Sequence, residues 1–142
     1  MDKQTVALVQ DSWARVEPMA AAAGTLFYTN LFAAAPELQA LFKGDMVAQA
    51  TKLMQMISVA VGKLDQLDAL VPVLQQLGQR HAGYGVVPAH YAVVGAALLN
   101  TLDQGLGPAF TPETRQAWTE VYGMMARVMV DAAPANATGA AG

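Results

Sequence analysis

The chain contains no cysteine, which excludes disulfides, thiolate catalysis and thiolate-ligated metals. Charge is also scarce. Charged residues make up 13% of the 142 residues, and the net charge is -3. The eight lysines and arginines are scattered and form no basic stripe, so no nucleic-acid partner is expected. Only two histidines occur, His81 and His90. Without cysteines or paired inward carboxylates, neither can complete a bare zinc site, which takes four ligands. No segment alternates with period two and no repeat is visible, which argues against a sheet. Long hydrophobic runs without interruption are missing too. Residues 18 to 36 are uncharged but include Gly24, Thr25, Tyr28, Thr29 and Asn30, between Glu17 and Glu37. The uncharged run 81 to 102 is broken by Pro88. The first has no Lys/Arg anchor, and both are expected to be buried helix and not a membrane span. The opening, MDKQTVALVQDSW, is polar and carries Asp2 and Asp11. It does not read as a secretory signal, and a cytoplasmic location is the expectation.

What the chain does have is apolar bulk at helical spacing. Hydrophobic residues reach 54%, enough for one domain with a large interior or a bound apolar partner. Val6, Val9, Trp13 and Val16 fall on one helical face, and Pro18 closes that helix. A second helix is predicted over about 19 to 34, and Pro36 opens a short turn through Phe42. A third covers about 46 to 63, with Met46, Ala50, Leu53, Ile57, Ala60 and Leu64 as its inner stripe. Leu70, Leu74, Leu77 and His81 stripe the next helix, which Gly83 and Gly85 end. Pro88 opens a helix to about Leu106, and GLGPAFTPE reads as a loop. Thr111 and Pro112 read as N-cap and first residue of a last helix to about Asp131. That helix puts Trp118, Tyr122, Met125 and Met129 on one face. The chain thus reads as all-α, with six or seven helices. Residues 134 to 142 are of low complexity and read as a disordered tail.

Few residues could carry chemistry. His81 closes an apolar stripe, so its ring should point inward. Taken alone, it fits a core histidine bonded to a backbone carbonyl better than it fits a ligand. A single imidazole can supply one axial bond to a cofactor that brings its own equatorial ligands, and haem fits that description. His90 sits in a first helical turn and should be neutral and partly exposed. Gln49, Leu53 and Ile57 share one flank of the third helix, where a glutamine is commonly a boundary residue. Tyr28 lies among Phe27, Leu31 and Phe32, where a buried hydroxyl usually bonds a carbonyl. GYGVVP at 83 to 88 follows no strand and has Pro88 at the third glycine position, so it is no dinucleotide loop.

Three stretches together resemble a known family. LFYTNLFAAAPELQALF at 26 to 42 is similar to the second and third helices of bacterial single-domain haemoglobins and of the globin part of flavohaemoglobins. GQRHAGYGVVPAHYAVVGAALL resembles their proximal region, and AWTEVYGMMARVM their final helix. The patterns LFYxNLF, KLMQ, RHxxYGVV and WTxVYG are those of the Hell's Gate globins of methanotrophic bacteria. The resemblance implies a globin fold, a 3-on-3 helical sandwich of about seven helices around a haem pocket. It assigns residues 1 to 133 to the globin domain.

By resemblance, His81 is the proximal ligand of the iron of haem b, and His90 is no ligand. Tyr28 and Gln49 are the distal donors to a bound ligand. Phe42 stacks on the haem, and Leu53 lies one turn beyond Gln49. Ile57, Leu77, Val86, Tyr91, Val94 and Leu98 line the haem, and Lys52 can reach a propionate or stay solvated. The ligands implied are O2, CO and NO. The implied function is reversible O2 binding, with two donors giving tight binding, and the alternative is NO dioxygenase activity that detoxifies NO to nitrate. These residues include no flavin or nicotinamide segment, so the alternative calls for an external flavin reductase. One departure stands out. Where flavohaemoglobins tie the proximal histidine to a tyrosine and a glutamate, Tyr91 matches the tyrosine, but Ala133 falls at the glutamate position.

Overall fold

The computed structural model describes residues 2 to 42 and 44 to 133. The tail at 134 to 142 therefore lies outside the described residues. Six α-helices run in chain order: α1 Lys3–Val16, α2 Ala20–Ala34, α3 Met46–Gly62, α4 Leu67–Gly83, α5 Pro88–Leu106 and α6 Pro112–Ala132. Three short 3-10 segments, Glu17–Met19, Pro36–Leu41 and Gly107–Ala109, join some of them. The expected seventh helix is thus the 3-10 run opened by Pro36, and part of GLGPAFTPE is also a 3-10 turn. No strand occurs among the described residues.

Local chemistry sets the helix ends. Asp2 and Asp45 accept the N–H of Gln4 and Val47 at 3.1 and 2.9 Å, each taking up a donor that a helix start leaves unpaired. Thr111 accepts from Thr114 N–H at 3.2 Å, as its position before Pro112 predicts. Gly85 takes φ +94° just beyond α4, a backbone shape that a side chain would strain. Pro72 stands inside α4, where it costs one backbone donor, and its side chain is exposed.

The helices stack in two layers, α1, α3 and α4 over α2, α5 and α6. Contacts run mainly across and within these layers through α4 with α6, α2 with α5, α2 with α3 and α1 with α6. Two tryptophans tie the layers together. Trp118 donates to Ser12 Oγ at 2.8 Å, Trp13 donates to Ser58 Oγ at 2.8 Å, and their rings lie 5.9 Å apart. Ser58 in turn donates a hydrogen bond to the Glu17 carboxylate at 2.9 Å, so each of these donors has an acceptor. Two approaches depend on glycine. A Cβ on Gly24 would lie 2.8 Å from Ala50 Cβ, and one on Gly78 would overlap the Met129 backbone.

The inner face of α3 differs from the stripe expected of it. Ala50, Met54, Ala60 and Val61 are buried, while Met46, Leu53 and Ile57 are half-buried. The reason is the partner on each side. Ala50 is pressed onto α2 at Gly24, and the Val61 carbonyl accepts from Gln10 on α1 at 3.0 Å. Leu53 and Ile57 stand beside them, half-buried and packed against the core. Consecutive in the chain, α3 and α4 make almost no contact with each other. No single described helix is long and apolar enough to cross a membrane. The run around Pro88 falls in two helices, α4 and the α5 segment, bent by 113°.

Candidate functional site

His81 is the last but two residue of α4, and its ring is half-buried. Nδ1 lies 2.8 Å from the Leu77 carbonyl one turn back. A carbonyl can only accept, so Nδ1 carries the hydrogen and the neutral ring keeps its lone pair on Nε2. Burial holds the imidazole below its ordinary pKa, with the Leu77 bond opposing weakly. The ring is therefore a neutral, oriented base with one free nitrogen. The bond to a carbonyl that a core histidine would make is present, yet it occupies only one nitrogen. A metal-bound histidine in other proteins is oriented in the same way.

Tyr91 on α5 lies along His81, with ring centroids 6.4 Å apart and planes 25° from parallel. No carboxylate bonds either ring among the described residues. Ala133 has none to offer and Asp131 is exposed. The Tyr91 carbonyl accepts the Tyr122 hydroxyl at 2.6 Å. Tyr122 lies over Gly95, where a Cβ would come within 2.6 Å of its ring. Burial, with Tyr91 adding to it, keeps the Tyr122 hydroxyl protonated well above the usual range. The chain turns sharply after His81: Val86 N–H bonds the His81 carbonyl at 3.0 Å. His90 is spent differently. Its Nδ1 accepts Val87 N–H at 3.1 Å and closes the first turn of α5.

The other group of predicted residues gathers around Tyr28. Its ring touches Phe27, Phe32 and Phe42, with centroids 5.1, 5.7 and 5.2 Å away. Phe42 also meets Phe32 edge-on at 5.5 Å. Tyr28 is 8% exposed, and burial raises its pKa. Its hydroxyl makes no hydrogen bond among the described residues. The expected carbonyl partner is absent, and since no buried side-chain polar atom among the described residues lacks a partner, the hydroxyl itself reaches the surface. Gln49, Leu53 and Ile57 sit on α3 at half-burial, Lys52 is exposed, and Val94 and Leu98 stand on α5, half-buried and buried. Leu77 and Val86 are half-buried.

These residues fit a haem by the chemistry of the donor set. One neutral imidazole has a free Nε2, one tyrosine hydroxyl makes no described hydrogen bond and is open at the surface, and the apolar side chains of α3, α4 and α5 are mostly incompletely covered. The two separated helices α3 and α4 carry residues from both groups. Sequence reasoning missed Tyr122 and Gly95 as parts of this region. Their spacing with Tyr91 is visible only once α5 and α6 cross, although Tyr122 was already on the inner face of its helix. Two clefts are present among the described residues, and one of them reaches a predicted residue. One of about 850 Å³ separates α1 from the α3–α4 junction around Val6, Gln10, Leu64 and Asp68, and includes none of the predicted residues. One of about 400 Å³ reaches Tyr28 between α2 and the start of α3.

A globin family model matches residues 25–129. Neuroglobin of Danio rerio is 35% identical, and the match covers 86% of this chain and 86% of that protein. The flavohemoprotein of Bacillus subtilis is 30% identical over 92% of this chain, which spans only 33% of that protein's length. Among solved structures, an engineered carbene transferase built on a Rhodothermus marinus protein assigned as a nitric oxide dioxygenase superposes with a TM-score of 0.83. It is 27% identical, and the match covers 92% of both chains. A bacterial globin from Campylobacter jejuni gives a TM-score of 0.80 at 24% identity, covering 92% of this chain and 95% of that one. At that identity it bears on the fold alone. A family model that spans most of the chain, relatives aligned over nearly all of it, and a 3-on-3 arrangement of helices agree: the chain belongs to the globin family.

Proposed function

We propose that this globin holds haem b through His81 and binds O2 reversibly, with CO and NO as further ligands. The observation that carries the reading is the His81 hydrogen bond: Nδ1–H to the Leu77 carbonyl at 2.8 Å leaves a neutral Nε2 free. Haem, when bound, supplies the iron at which the diatomic ligand is held. The chain supplies the rest. His81 gives the axial nitrogen. Phe42, Leu53, Ile57, Leu77, Val86, Tyr91, Val94 and Leu98 offer the apolar lining that keeps water from the ring. Lys52 is exposed and free to reach a propionate. Tyr28, whose hydroxyl has no described partner, and Gln49 are the donors to a ligand that carries negative charge. A hydrogen bond to a charged acceptor contributes about 1.5–3 kcal/mol, or roughly ten- to hundredfold in ligand escape. Two such donors favour slow O2 release.

The test is an absorption spectrum of the purified full chain in the ferric, ferrous and CO-exposed states, beside titration of the chain with haem. The expected result is stable uptake and a ferrous spectrum that shifts with CO. A full chain that takes up no haem overturns the reading. A second reading, NO dioxygenase activity, is favoured by the likeness to the Rhodothermus marinus protein. In that case the reduced chain in O2 converts NO to nitrate stoichiometrically, and an added flavin reductase makes the conversion continuous. Sustained turnover by these 142 residues with NADH alone would contradict the need for a partner.

A further inference from the structure

We propose that Asn30 is a positioning residue for Tyr28, fixing the turn of α2 about its own axis through a polar latch to α5. The proposal rests on the reading of Tyr28 as a donor to the bound ligand. It starts from the composition of α2. Residues 18 to 36 carry no charge. The exposed face of α2 is Ala21, Ala22, Thr25, Thr29, Ala33 and Ala34, and the buried one is Ala23, Gly24, Phe27, Tyr28 and Leu31. Alanine and threonine on the outer face make burial a weak guide to how far the helix is turned. The close approach to α3 is no better guide. Gly24 meets the Ala50 methyl there, a contact too smooth to key the helix. The rotation of α2 therefore needs a directional contact.

Asn30 supplies it. Its side-chain amide donates to Thr101 Oγ1 at 3.1 Å and to Gln104 Oε1 at 3.0 Å, both on α5. Both amide protons are thus used, one of them on a buried hydroxyl. Thr101 itself donates to the Ala97 carbonyl at 2.8 Å, so its oxygen faces Asn30 as an acceptor. The other polar side chains of α2 hold no neighbouring helix. Thr25 and Thr29 bond the carbonyls of Ala21 and Thr25 in α2 itself, and the Tyr28 hydroxyl has no described partner. Among the described residues, Asn30 is thus the one side chain of α2 that hydrogen-bonds another helix. Two positions apart, Asn30 and Tyr28 stand about 200° apart around the helix axis, so the latch grips the side opposite Tyr28. A turn of about 20° sweeps a group roughly 6 Å from the axis through about 2 Å, more than a hydrogen bond tolerates. With the latch closed, Tyr28 has one arc to work in, among Phe27, Phe32 and Phe42.

Asn30→Leu removes both donors and keeps the bulk. It strands no buried donor, since Thr101 still bonds Ala97 and Gln104 is exposed to water, so the fold is retained. Thr101→Val takes the acceptor away from the other side, and Thr101→Ser keeps it. In the haem-loaded chain, Asn30→Leu and Thr101→Val should release O2 roughly two- to tenfold faster than wild type, with CO release little changed and Thr101→Ser like wild type. In the Tyr28→Phe background, Asn30→Leu should add nothing, because the latch acts through that hydroxyl. In the haem-free chain, proton cross-relaxation between the Tyr28 and Phe42 rings should change in Asn30→Leu and Thr101→Val and persist in Thr101→Ser. A lowered melting temperature with unchanged O2 release and unchanged cross-relaxation would show that Asn30 only supports the fold, and would overturn the proposal. An equal effect of Asn30→Leu on O2 release in wild type and in the Tyr28→Phe background would overturn it too. If Tyr28→Phe leaves O2 release as it was, or wild type takes up no haem, the reading of Tyr28 fails, and cross-relaxation in the haem-free chain still decides whether the latch sets the ring.

Discussion

At the scale of single residues, the two histidines do different work with the same ring. His81 spends Nδ1 on Leu77 and keeps Nε2, whereas His90 spends Nδ1 on Val87 N–H as a first-turn cap. His81→Ala should therefore abolish stable haem binding, and His90→Ala should leave it intact, as read by haem titration of both variants. Retention in the first with loss in the second would reverse the assignment. Tyr28→Phe should quicken O2 dissociation roughly ten- to hundredfold and affect CO far less, because CO carries little negative charge to accept the bond. Flash photolysis and stopped-flow rates for both ligands check this, and equal O2 rates in both proteins would take Tyr28 off the ligand's face. Much of this was legible beforehand. A histidine closing an apolar stripe, followed by glycines and a proline, marks one inward ring at a helix end. The state of that ring was not legible, since a carbonyl partner and a free nitrogen are geometric facts. Nor was the lone Tyr28 hydroxyl, for which composition favours a backbone partner.

At the scale of helices, spacing located the six elements because each is long, strongly periodic and punctuated by proline, glycine or a capping side chain. For α3 it found the inward face but missed Met54 and Val61, which are buried as well. A stripe of apolar residues wider than one contact face does not say which part of it is covered most, and Met54 and Val61 are buried beside the expected Ala50 and Ala60. The outcome bears on ligand access. Leu53→Ala should open space beside Gln49 without removing a donor, so ligand association should speed up more than dissociation. A change confined to dissociation would put Leu53 elsewhere. Gly78→Ala tests the other crossing. Its methyl would meet the Met129 backbone, and no side-chain rotation can relieve that. The expected loss is about 2 kcal/mol or more, a fall in Tm of roughly 8 °C. A Tm within a degree of wild type would show that α4 and α6 can part at little cost.

At the scale of the whole molecule, the family and the layer arrangement were legible because motif stretches recur along most of the chain. The crossings that hold the layers, Trp118 with Ser12 and Tyr122 with Tyr91, pair residues 106 and 31 positions apart and leave no local mark. The tail at 134 to 142 offers no large apolar side chain to bury, and ordering it would cost entropy with little return. Its deletion should leave haem uptake unchanged and Tm within a few degrees, and a larger drop by calorimetry would show that it docks. The seam between α4 and α6 has one more consequence. Where two backbones touch at Gly78 and Met129, there is no space for water to reach an amide while the helices stay together. Backbone amides around that seam should exchange with deuterium only when the whole chain opens. Those at the start of α4, where Gln66 provides no side-chain cap, should exchange in local openings long before.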